Sequence, residues 1–162
     1  MLSKGQSLLE LVIVIAVAII VVGALTSATI FSLRNANLSK NQLQATKYAQ
    51  EGLEKVRSLR ERNGVVIANF GTSTTKFSEL WNVKLSETCA IPCIVNFLLD
   101  SVNNSLTQNN AAEDLGGSFH RWVKITDDSA TFQSKKTVTV VVTWVDFSGT
   151  HESRLTTFLR KL

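Results

Sequence analysis

Few side chains in this 162-residue chain have both the type and the spacing that chemistry needs. His120 and His151 are the only histidines, and each falls in a stretch that reads as a strand. There a histidine is a surface or hydrogen-bonded side chain far more often than a general base. Asp127 and Asp128 are adjacent acids of the kind that touch calcium, but without further ligands at loop spacing they read as a turn. Trp122 and Trp144 have faces that could stack on bases, yet their β-branched surroundings assign them to core or cross-strand packing. No glycine-rich phosphate loop, nucleophile elbow or carboxylate pair at a motif spacing occurs. The expectation is therefore no catalytic residue, no metal, no cofactor and no enzyme.

Two cysteines, Cys89 and Cys93, stand close together in Cys-Ala-Ile-Pro-Cys. Outside the cytoplasm such a pair predicts a small disulfide loop, with Pro92 helping to turn the chain. Zinc would need further ligands, and neither histidine is near in sequence. The redox spacing Cys-x-x-Cys is absent. Two reduced, buried cysteines are the alternative. The remaining conspicuous residue is Glu10, an acid set directly against an apolar run.

That run decides how the rest is positioned. From Leu11 to Leu33 there is no charged side chain, and about 20 apolar residues suffice to cross a bilayer as a helix. A helix satisfies its own backbone hydrogen bonds, which lipid cannot do. The segment through Leu25 has no polar stripe of the kind a soluble core helix shows. A membrane helix is predicted. A secretory signal is the rival, but its apolar region is shorter, about 7–15 residues, and is cut after a small residue. Cleavage at Ala24 or Ala28 would leave a long helix without purpose. Lys4 flanks one side of the run, and Arg34 and Lys40 the other, so charge alone does not set the orientation.

Arg34 to Arg62 continues without proline, and Gly52 is its only glycine. Ala45, Ala49, Leu53, Val56 and Leu59 recur at spacings of three and four, which places them on one helical face. Lys47–Glu51, Glu51–Lys55 and Arg57–Glu61 are i,i+4 pairs for the outer side. Asn63-Gly64 predicts a left-handed end, with Arg60 and Arg62 complementing the dipole. One helix from Gln6 to Arg62 would be about 85 Å long.

Lys4-Gly5-Gln6-Ser7-Leu8-Leu9-Glu10 with the apolar run behind it resembles the class III signal of type IV pilins and pseudopilins. The resemblance implies cleavage by a prepilin peptidase after Gly5, leaving Gln6 as the mature amino terminus in the cytoplasm. It also implies an assembly role for Glu10, whose carboxylate would pair with the α-amino group of an adjacent subunit. Such pairing offsets desolvation in a low-dielectric bundle and fixes register. Most major pilins have Phe or Met where Gln6 stands, so the resemblance points to a minor subunit and leaves N-methylation open. Ala45–Arg60 resembles a segment found in minor-pilin-like proteins. The small residues Ala16, Ala18, Gly23 and Ala24 would permit close helix approach in a filament.

The expected fold class is α+β: a long N-terminal helix, half membrane-spanning and half amphipathic, packed on a small antiparallel β-sheet. The expected division is a leader (1–5), a transmembrane and filament-core helix (6–33), the amphipathic half of the same helix (34–63) and a β-rich head (64–162). Phe77, Leu80, Trp81, Val83 and Leu85 are candidate core residues. Residues 94–99 read as a strand or short buried helix, and 103–117 as an exposed loop. Phe119–Ile125, Thr137–Phe147 and Thr150–Leu159 predict antiparallel strands, the last two joined at Ser148-Gly149.

The net charge of +4 is interleaved with acids rather than forming a stripe, which gives DNA binding no particular support. The expected partners are other pilin subunits, the prepilin peptidase, the pilus or secretion assembly machinery and the membrane. The expected location is the cytoplasmic membrane, spanned once with the head outside, and then an extracellular filament. A minor pilin is the leading expectation. The alternatives are a pseudopilin of a type II secretion system, a DNA-binding competence pilin and a plain anchored exported domain.

Overall fold

A single helix, α1 (Ser3–Glu61), runs for 59 residues. Nothing in its sequence interrupts it, because the only proline of the chain is Pro92 and interior proline is the commonest cause of a break. The computed structural model describes residues 3–69, 73–74, 76–83, 85, 95–100, 103–109, 111–127, 131 and 133–161. Cys89 and Cys93, and with them the expected disulfide, lie outside the described residues. The chain forms two compact units, residues 1–41 and residues 42–162.

In the second unit, Ala45, Ala49, Leu53, Val56 and Leu59 are all buried, the face expected from their spacing. They pack with one face of a sheet whose strands are β1 (Val66–Asn69), β2 (Ser73–Thr74), β3 (Val95–Asp100), β4 (Ser105–Gln108), β5 (Glu113–Asp114), β6 (His120–Thr126), β7 (Lys135–Asp146) and β8 (Gly149–Arg160). Their order is β2-β1-β4-β3-β6-β7-β8, with β5 also paired to β6. The fold is α+β, as expected, but the sheet is larger than a three- or four-stranded meander. It is also mixed, since β1 and β4 pair in parallel.

The long β6–β7–β8 meander is the regular part. Val123, Ile125, Val138, Val140, Val142 and Trp144 point inward and are buried, as period-two alternation demands. The strand reading is the one realised at β3, where Phe97 and Leu99 are buried. The expected loop over 103–117 is partly wrong, for it contains β4 and β5, and Ser105 and Leu106 are buried. A turn precedes β4: Asn104 has φ of 48°, while Asn103 donates its backbone N–H and its amide to the Asp100 carboxylate. Phe77–Asn82 is a 3-10 helix that buries Phe77, Leu80 and Trp81.

The helix stops through a double bond pattern. Gly64 N–H donates to the Leu59 carbonyl at 2.8 Å and Asn63 N–H to that of Arg60 at 3.2 Å, the pairing of a Schellman cap. The left-handed residue is Asn63, with φ of 49°. Gly64 is needed for another reason, since a Cβ there would lie 2.5 Å from Leu59 Cδ2. The same corner anchors the 3-10 helix: Phe77 N–H donates to the Gly64 carbonyl and Ser78 N–H to Asn63 Oδ1.

Candidate assembly and membrane segment

The first unit is a helix with nothing of its own to pack on. Every described side chain from Leu8 to Lys40 is exposed, including Ile19 at 67 % and Ile20 at 71 %. Its Val and Ile residues are weak helix formers in water, and continuous apolar exposure on this scale marks a surface meant for lipid or a partner. Among the described residues, one helix, near the N-terminus, is long and apolar enough to cross a membrane. Its hydroxyls are internally satisfied: Thr26, Ser27 and Thr29 each donate to the carbonyl four residues back, at 2.8, 3.0 and 2.8 Å. That bonding removes the donors that hydrocarbon would penalise.

The candidate residues Gly5 and Gln6 lie on helical backbone, so α1 begins before the expected cleavage point. Glu10 follows one turn later and is exposed. Gly23 would meet no atom within 4 Å if it carried a Cβ. A mid-helix glycine costs roughly 0.8–1.0 kcal/mol relative to alanine, and no contact within the chain accounts for it.

Polar chemistry in the second unit is concentrated in three clusters. Arg121 is buried on the inward face of β6, where its guanidinium meets Glu113 through Nε at 2.8 Å and Nη2 at 2.7 Å. Its Nη1 donates to the Tyr48 carbonyl of α1 at 2.9 Å. Lys136 and Asp127 form a second buried pair, their side chains 1 % and 0 % exposed. Lys136 Nζ also donates to the Val83 carbonyl and Asp127 accepts from Leu85 N–H. Burial pushes the Lys136 ammonium below its ordinary range, against the pull of Asp127. The Asp127 carboxylate is a core group that ties Val83 and Leu85 to the sheet, while the turn expected after it falls on residues 128–130, outside the described residues. Asp128 lies outside the described residues.

The third cluster is at the β7–β8 turn. Asp146 Oδ1 accepts from Ser148 N–H at 2.8 Å and Ser148 Oγ at 2.7 Å, and lies 3.0 Å from His151 Nε2. Those bonds, that of the Ser148 hydroxyl first, hold the Asp146 carboxyl below its usual range. Serine, histidine and acid are all present, but serine and acid contact the same imidazole nitrogen. A relay needs them on opposite nitrogens. The cluster is a turn lock. Among the described residues there is also no group of three His, Cys, Asp or Glu side chains placed to hold a metal.

Sequence reading missed the two buried ion pairs, although strand parity carried the signal. Arg121 shares the inward parity of Val123 and Ile125, and Lys136 that of Val138 and Val140. Trp144 is core, stacked on His151 at 5.4 Å; Trp122 is half-buried on the opposite parity of β6.

No protein-family model matches the chain, and no curated protein or solved structure is similar to it. The likeness that stands is one of architecture: a long helix, apolar over its N-terminal half, followed by a small mixed sheet.

Proposed function

We propose that this chain is a structural subunit of a type IV pilus-like filament, a minor pilin. It is anchored in the cytoplasmic membrane by residues 11–33, trimmed after Gly5, and assembled by exchanging lipid contacts for helix contacts. The single observation that carries the reading is the unbroken helix, fully exposed and apolar first, then amphipathic and packed on a sheet. An ordinary signal anchor has no reason to continue into the spine of the exported domain. Gly23, with no neighbour inside the chain, suits close approach of a second helix. In this reading the Glu10 carboxylate pairs with the new α-amino group of a neighbour, and the chain itself performs no catalysis.

The test is Glu10→Gln. Membrane insertion should be unchanged, because the apolar run is untouched, while the amount recovered in sheared filaments should fall severely. Equal recovery of mutant and native chains would remove the pairing role.

A further inference from the structure

We propose that the outer face of the sheet carries a saccharide-binding cleft, in which Trp122 takes the face of a neutral pyranose ring and Asn96 accepts from one of its hydroxyls. The site lies wholly within residues 42–162, and it goes beyond the filament reading without depending on it.

Strand parity builds the cleft. Arg121, Val123 and Ile125 of β6 point into the core, so Trp122 and Lys124 stand on the opposite face. Register brings their neighbours alongside. Lys124 is opposite Asn96 of β3, Trp122 is opposite Val141 of β7, and Thr143 of β7 is opposite Glu152 of β8. These six residues line a cavity of about 360 Å³, within the roughly 300–1,000 Å³ usual for small-ligand sites. Val141 is only 4 % exposed despite its outward parity, which gives the cleft an apolar floor.

The sheet itself accounts for neither Asn96 nor Trp122. Asn96 Oδ1 is buried and has no hydrogen-bond partner among the described residues, a state that buried polar atoms rarely keep. In the same cross-strand row, Thr139 and Thr156 bond to each other at 3.0 Å. Polar groups on this face can therefore satisfy one another, and Asn96 is left out. Trp144 of β7 is fully buried in the core, whereas Trp122 keeps its indole half-buried on the outer side.

The lining selects the ligand class. A phosphate or sulfate would sit beside the Glu152 carboxylate, which Arg154 already holds at 2.8 Å, so an anion is disfavoured. A nucleic-acid base could stack on Trp122, but its phosphates would meet the same carboxylate. Strands β3, β6 and β7 are each paired on both sides, so the cleft offers no free backbone edge to a peptide strand. A pyranose with equatorial hydroxyls meets every feature. Its C–H face suits the negative face of an indole, and its hydroxyls both donate and accept. They can donate to Asn96 Oδ1 and Glu152, and accept from Lys124 and Thr143.

The full-length chain in phospholipid nanodiscs is titrated calorimetrically with cellohexaose, chitohexaose and hexathymidylate. Saturable binding of at least one of the two oligosaccharides is expected. Trp122→Ala should weaken it at least about tenfold, and Asn96→Ala several-fold. Glu152→Ala alters an exposed side chain, so it keeps the test open if Trp122→Ala fails to fold, and it should also weaken binding several-fold. No saturation by either sugar up to about 10 mM overturns the site. Sugar binding that survives all three substitutions lies elsewhere and overturns it as well. Preferential binding of hexathymidylate would make the cleft a nucleic-acid site and overturn the saccharide assignment.

Discussion

Asp127 and Lys136 show how much one carboxylate can hold in place. Both side chains are buried, and between them they bind two backbone groups of residues 83–85. Removing one partner of a buried pair typically costs about 3–5 kcal/mol because the other charge is left uncompensated. Asp127→Ala is therefore expected to lower stability by about that much. The double change Asp127→Leu with Lys136→Met should recover a large part of the loss. Denaturant unfolding of Asp127→Leu, Lys136→Met and the double variant measures this, and a strictly additive double mutant would deny the coupling. Asp146 gives a pH prediction. Its folded-state pKa lies below the ordinary 3.8, so its stabilising contribution is complete above that value and is lost as pH falls through the folded one. Asp146→Asn should flatten the fall in melting temperature below about pH 4, and an unchanged acid slope would show that the turn lock contributes nothing.

Helix α1 and the sheet approach closely at Gly52. A Cβ there would lie 3.0 Å from Val140 Cγ1 and 3.1 Å from Arg121 Cδ. Alanine gains helix propensity of roughly 0.8–1.0 kcal/mol and spends it on that contact, so Gly52→Ala should leave stability nearly unchanged. Gly52→Leu has no room and should cost about 1–3 kcal/mol, read from the shift in unfolding midpoint; a neutral leucine would mean that the helix is not held at this distance. Most of α1 was legible in the sequence, since periodicity named its buried face and Asn63-Gly64 its end. The meander β6–β8 was legible too, from alternation and β-branched content. Strand β4 was not, because Leu106 is the only large apolar side chain in Ser105–Gln108 and the strand exists through pairing with β1 and β3. The 3-10 helix was equally hidden: its register follows from bonds to Asn63 and Gly64, a long-range fact that local pattern does not contain. At the candidate segment, the apolar run and Glu10 were plain in the sequence, whereas Arg121 and Lys136 were obscured by the habit of reading charge as surface.

At the scale of the molecule, two units with opposite needs share one continuous helix. Residues 42–162 close their own core, while residues 8–40 bury nothing of their own. An apolar surface of that length demands an environment outside the chain, and the proposed function supplies two in succession: lipid before assembly and neighbouring helices after it. The resemblance around Gly5 sets where trimming should occur, so Gly5→Glu is expected to leave the leader attached, visible as a heavier intact mass. The most direct measurement is the intact mass and N-terminal sequence of the chain recovered from filaments sheared off the cell surface. The account predicts a chain that begins at Gln6 and retains residues 11–33. An exported chain that begins beyond Leu33 would contradict it.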